Sequence, residues 1–157
     1  MDILFDGENG RFSLRAAGVC VRNGKVLLQS VPGDPGYAFP GGHIAFGETA
    51  KETLTREFFE ETGAEASVGR LLFTGEIFFP WDGRPSHQIC LYFETAITGG
   101  LPDGESFPVH DSVNGKEIPL VFSWVPLREL RNISVYPPEA AELLLGGNTG
   151  AHFVYRE

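Results

Sequence analysis

The sequence predicts an α/β/α sandwich, and three observations lead there. Apolar runs of strand type recur along the chain, two segments carry helix start and stop signals, and 157 residues suffice for a sizeable core. Strands with a helix on each face make three layers. Hydrophobic content of 42% and charged content of 21% are those of a globular chain, and residues 1–157 are expected to form a single domain.

The elements follow in order. From Arg11, FSLRAAGVCV reads as a strand, and Asn23-Gly24 is a strong hairpin signal before the second strand, KVLLQSV. PGDPGYAFPGG is too rich in glycine and proline for regular structure, so a loop is expected there. A helix is predicted from Thr49 to Thr62. Thr49 and Glu52 have capping-box spacing, and Gly63 stands where a helix end takes a positive φ. Ala50, Leu54 and Phe58 form its apolar row, while Phe59 points to the opposite flank. VGRLLFTGEIFF and HQICLYFETAI are strands joined by the turn WDGRPS, and LVFSWV is another. Between them a long acidic loop is expected from Gly99 to Pro119, carrying Asp103, Glu105, Asp111 and Glu117. Pro137-Pro138 opens a final helix, EAAELLL, which Gly146-Gly147 ends.

The chemistry concentrates in the predicted first helix. Glu57, Glu60 and Glu61 share a face at i, i+3 and i+4, where like charges repel by a few tenths of a kcal/mol per pair. A solvated acidic face and a cation site are the two readings of such a cluster. Hard Mg²⁺ or Mn²⁺ removes the repulsion and bridges to phosphates. Arg56 lies one turn from Glu52 and Glu60, and within reach of Glu48 if the chain folds back, so it is expected to hold carboxylates in place.

The stretch Gly42 to Ala64 resembles the box of the Nudix hydrolase family, GX5EX7REUXEEXGU with U a bulky aliphatic residue. Gly42, Glu48, Arg56, Glu57, Glu60, Glu61 and Gly63 match in register. Phe58 and Ala64 depart mildly at the two U positions, which are packing sites. PGDPGYAFPGG, SHQICLYFETAI, FSWVPLREL and YPPEAAELL resemble the family more weakly. The resemblance implies a Nudix-type α/β/α sandwich with a mixed sheet, and Mg²⁺-dependent (or Mn²⁺-dependent) hydrolysis of a diphosphate bond in a nucleoside diphosphate linked to another moiety. It implies Glu57 and Glu61 as main metal ligands, Glu60 joining directly or through water, and the Gly41 carbonyl as a further oxygen. One carboxylate, or a loop acid, would accept a proton from the attacking water. Glu117 is the first choice for a loop acid, with a solvated charge as the alternative reading.

For substrate contacts, Gly41 and Gly42 let phosphates approach closely, and Phe39 and Trp81 are candidates to stack on a base, alongside Tyr37, Phe78 and Phe79. Each aromatic alone is more often core. Arg15 and Arg22 could meet a distal phosphate, but neither singly is favoured.

The net charge of −9 repels phosphate backbones, so duplex nucleic acid has no electrostatic support as a partner, whereas a small nucleotide accompanied by Mg²⁺ is acceptable. RNA-end processing would need a basic path that is not seen. Cys20 and Cys90 lie in apolar runs and are expected to be buried reduced thiols. No apolar run approaches the ~20 residues of a membrane span, and the cytoplasm is the default location. Monomer and homodimer are both open. The alternative function is a non-catalytic nucleotide-binding sensor on the same fold, against which the intact REFFEE argues.

Overall fold

The computed structural model describes residues 1–113 and 116–157. The chain runs through β1 (Leu4–Gly7), β2 (Gly10–Val19), β3 (Val21–Arg22), β4 (Lys25–Ser30), β5 (Gly36–Ala38) and β6 (Gly41–His43) into α1 (Ala50–Thr62). There follow β7 (Glu65–Trp81), β8 (Arg84–Gly99), β9 (Ser106–Val113), β10 (Lys116–Pro126), a 3-10 helix (Leu127–Asn132), β11 (Ser134–Val135), α2 (Pro138–Leu145) and β12 (Ala151–Arg156).

Two six-stranded sheets result. The first has the order β1-β2-β8-β7-β12 with β6 on β2, and the second β11-β5-β4-β10-β9 with β3 on β4. Both are mixed, because β2–β8, β7–β12 and β5–β11 are parallel pairs among antiparallel ones. Alternation along each strand feeds two cores. On β2, Ala17 and Val19 enter the core covered by α2, while Ala16 enters the core covered by α1. Leu54 and Phe58 of α1 are fully buried in that second core, and Ala140 and Ala141 of α2 in the first. The three layers expected are thus present. Among the described residues no helix is long and apolar enough to cross a membrane.

α1 has the ends its sequence predicts. Thr49 Oγ1 accepts from Glu52 N at 3.2 Å, Glu52 Oε2 accepts from Thr49 N at 2.7 Å, and Gly63 closes the helix at φ 73°. The turn at Asn23-Gly24 is also present, both residues having positive φ, but it joins only the two-residue β3 to β4, while β2, which the sequence reading pairs with β4, lies in the other sheet.

Several expectations are corrected. The span from Gly99 to Pro119 is not one long loop: β9 and β10 pair from Lys116↔Val113 to Ser123↔Ser106. Its prolines suggest a break, yet Pro108 sits on an edge strand, and Pro119 lies before β10 reaches β4 at Val121↔Ser30, so neither removes a bond from a doubly paired strand. The turn in WDGRPS is only Asp82-Gly83, at φ 50° and 72°, which places Trp81 at the end of β7. PGDPGYAFPGG holds β5 and most of β6, because short strands can be pinned by neighbours with little help from composition. β1 and β12 are further strands the sequence reading does not include.

Candidate active site

Site geometry begins at β6, which pairs with β2 through Ala17↔Gly41, Ala16↔Gly42 and Arg15↔His43. A Cβ at Gly41 would collide with the Ala16 carbonyl, and one at Gly42 would come within 2.6 Å of Glu57 Oε1. The missing side chain at Gly42 therefore lets α1 bring a carboxylate against the strand. Thr53, fully buried on α1, donates to Glu48 Oε2 at 2.9 Å and fixes the loop that precedes the helix.

Arg56 braces this arrangement. Its Nε and Nη2 form a fork on Glu48 at 2.9 and 3.0 Å, while Nη1 donates to Glu57 Oε1 at 2.9 Å and to Glu60 Oε2 at 3.2 Å. The guanidinium holds the Glu48 carboxyl below the usual carboxylate range. Glu52, expected as another partner, is occupied by the capping box.

Glu57, Glu61 and Asp111 each direct an oxygen into one place, with all three oxygens within 4.8 Å of one another. Glu61 is only 6% exposed, and its Oε1 has no hydrogen-bond partner among the described residues. Burial, followed by the charges of Glu57 and Asp111, pushes its carboxyl up to about 9; burial likewise raises Glu57, with Arg56 opposing. Three acids gathered with a buried, unpaired oxygen are unfavourable without a cation. An all-oxygen set of this kind fits a hard divalent ion.

The expected site residues divide accordingly. Glu57 and Glu61 converge, whereas Glu60 is more exposed, tied to Arg56 and outside the group of three. Glu117 is exposed, and β-strand alternation turns it to the face opposite that of Ile118, the residue paired with Asp111. The strand acid in the cluster is Asp111. Its signal is the row Phe107, Val109, Asp111, whose first two members are core on the α1 side. Phe39 is 1% exposed and packs edge-to-face on Tyr92, so its ring is not available to stack on a base. Trp81 is half exposed and lines a cleft of about 610 Å³ that spans strands of both sheets. Phe79, Tyr37, Tyr136 and Tyr155 line the same cleft, as do Arg15 and His43, which lie near enough to Glu61 and Asp111 respectively for their charges to interact. Burial and the neighbouring Arg15 keep His43 below the usual imidazole value. Arg22 turns elsewhere, donating to the Ile97 carbonyl at 2.8 Å and lying over Trp124.

Fold and side chains together define a class: an α/β protein presenting a carboxylate cluster suited to a divalent cation beside a ligand cleft. Residues 13–145 match the NUDIX domain, and the chain belongs to the NUDIX family. It is similar to the putative mutator protein MutT4 of Mycobacterium tuberculosis, at 31% identity over 140 residues, 87% of this chain and 49% of that protein. A second relative is the ADP-ribose pyrophosphatase of Methanocaldococcus jannaschii, at 34% identity over 86 residues, 53% of this chain and 50% of that protein. The chain thus spans about half the length of these relatives. Among solved structures, the mutator MutT protein of Bacillus halodurans shares the fold with a TM-score of 0.67 at 19% identity, covering 92% of this chain and 90% of that one.

Proposed function

We propose that the chain is a Mg²⁺-dependent hydrolase of a diphosphate bond in a nucleoside diphosphate linked to another moiety. The observation that carries this reading is the convergence of Glu57, Glu61 and Asp111 near a cleft large enough for a nucleotide. One relative is an ADP-ribose pyrophosphatase, which agrees with a nucleoside diphosphate derivative as substrate.

Glu57, Glu61 and Asp111 would hold the divalent cation. When bound, it supplies Lewis acidity toward phosphate oxygens and a lower pKa for water. Arg56 keeps Glu57 at a fixed angle, so that little reorganisation is needed as charge develops. Glu60 is exposed beside the cluster and tethered by a single contact to Arg56, which leaves it free to accept a proton from water. The half-exposed Trp81 and the tyrosines provide an apolar wall for a ring, and the cleft keeps bulk water from one side of the scissile bond.

The test is a panel of NDP-sugars, NTPs, dinucleoside polyphosphates and ADP-ribose, with products identified by mass. Turnover of at least one should vanish in EDTA and return with Mg²⁺ or Mn²⁺. Water labelled with ¹⁸O then reports which phosphorus is attacked. Turnover undiminished by rigorous chelation would sink the metal mechanism, and binding without turnover across the panel would favour a sensor.

A further inference from the structure

Arg15 occupies an unusual place. On β2 the row Ser13, Arg15, Ala17, Val19 faces the α2 side, and its last two members are core. Holding a half-buried cation there is costly unless something negative meets it. Its contacts within the chain are weak compensation. A guanidinium has five N–H donors; Arg15 gives one to the Phe39 carbonyl at 2.8 Å and one to the Cys90 sulfur at 3.8 Å, and the rest have no protein acceptor among the described residues. Neither of those two acceptors is a carboxylate. Arg56, by contrast, meets three carboxylates within 3.2 Å.

The surroundings point into the cleft. Arg15 lines it, and so do Gln29 and Ser86, whose Oε1 and Oγ are buried and unpartnered among the described residues. Gln29 Oε1 can only accept, so it suits an N–H or O–H of a ligand rather than a phosphate. The Phe39 carbonyl fixes one edge of the guanidinium and leaves its other donors pre-oriented, a geometry matched to phosphate oxygens.

We infer that Arg15 is a substrate-positioning residue that binds a non-bridging oxygen of the phosphate on the cleft side of the carboxylate cluster. The moiety attached to that phosphate then lies toward Gln29 and Ser86. The inference takes the diphosphate from the proposed hydrolase reading, while anion binding by Arg15 does not itself require turnover.

The experiment compares wild type with Arg15→Met and Arg15→Lys, using inorganic pyrophosphate as the probe in EDTA and in MgCl₂, by calorimetry and thermal shift. Pyrophosphate should bind and stabilise wild type in at least one buffer, and Arg15→Met should weaken binding by roughly tenfold or more, as expected for a lost charge-assisted contact. Without ligand, Arg15→Met should melt no lower than wild type, because it removes a half-buried charge that makes no ion pair among the described residues. Kinetics on the best panel substrate should show a KM raised by roughly tenfold with kcat changed less, and lysine should restore part. An Arg15→Met variant that is unfolded or clearly destabilised would overturn the inference, since a structural role predicts that. So would unchanged pyrophosphate affinity, unchanged KM, or no pyrophosphate binding by wild type in either buffer. If no diphosphate is turned over while pyrophosphate binding still depends on Arg15, the hydrolase reading fails and this one stands.

Discussion

Two arginines neighbour the carboxylate cluster, and the fold treats them in opposite ways. Arg56, on α1, is nearly saturated: Glu48, Glu57 and Glu60 take four of its five donors at 2.9 to 3.2 Å. Arg15, on β2, has among the described residues a carbonyl and a sulfur. A cation whose acceptors all belong to the protein is scaffold, because its energy is spent in the folded state whatever is bound. One left with donors open toward a cleft keeps that energy for a ligand. Between them, the same acids serve both purposes, with Glu57 anchored by Arg56 and Glu61 left, among the described residues, without a hydrogen bond at Oε1.

The contrast breaks most severely if the shared acids are neutralised. Glu57→Gln or Glu61→Gln should lower kcat by roughly 10² or more at saturating Mg²⁺, with the fold retained by circular dichroism. In EDTA the same variants should melt at or above wild type, since they relieve repulsion. A clear loss of stability in both would show that the acids are structural partners rather than a cation site.

Protonation sharpens the same point. The Glu61 carboxyl, raised to about 9, keeps a proton that the unfolded chain releases near the ordinary glutamate value of 4.5, so the native state binds more protons across that window. Metal-free stability should therefore be greatest below about pH 4.5, as far as this group is concerned, and fall as pH rises toward 9, by at most about 1.4 kcal/mol per pH unit. Melting curves in EDTA should show the slope, and Glu61→Gln should flatten it. Equal slopes in the two proteins would assign the dependence to another group.

Arg56→Ala should cost about 1–2 kcal/mol, less than a fully buried pair because solvent reaches its partners, and should reduce kcat by about tenfold. Arg56→Lys should recover only part of either, as a point charge cannot fork onto Glu48. Full recovery by lysine would show that the two-point contact is dispensable. Smaller still is the strand pair. Asp111→Asn should weaken Mn²⁺ binding by roughly tenfold, while Glu117→Gln, exposed and turned away, should leave kcat within about twofold. The reverse ranking would return the loop acid to Glu117.

α1 was legible almost to the residue, because its signals are local: Thr49 and Glu52 cap it, Gly63 ends it, and Leu54 and Phe58 point inward. Glu57 and Glu61 were legible for the same reason, since helical spacing alone places them on one face. Asp111 and Arg15 were not. Each is a charged residue in an inward-facing strand row, and the row shows only once the partner strand is known. Pro108 and Pro119 then concealed the β9–β10 hairpin, and Glu117 inherited a role from a loop that does not exist. The burial of Phe39 was hidden likewise, because its ring is covered by Tyr92, 53 positions on in the chain.

The parallel pairing of β2 with β8 sets the order in which the protein can assemble. Arg15 and Cys90 face each other across that pair from 75 positions apart, and no turn can bring them together. The hairpins β3–β4, β7–β8 and β9–β10 close over short connections and can form within microseconds, as hairpins do. β2 gains its long-range neighbour only after a loop-closure cost that no local contact offsets. Folding should therefore be slow for the chain's size, in the millisecond-to-second range of topologies dominated by distant contacts. Until that step is complete, Arg15 has no place behind the carboxylates, so the cleft is among the last parts of the molecule to exist.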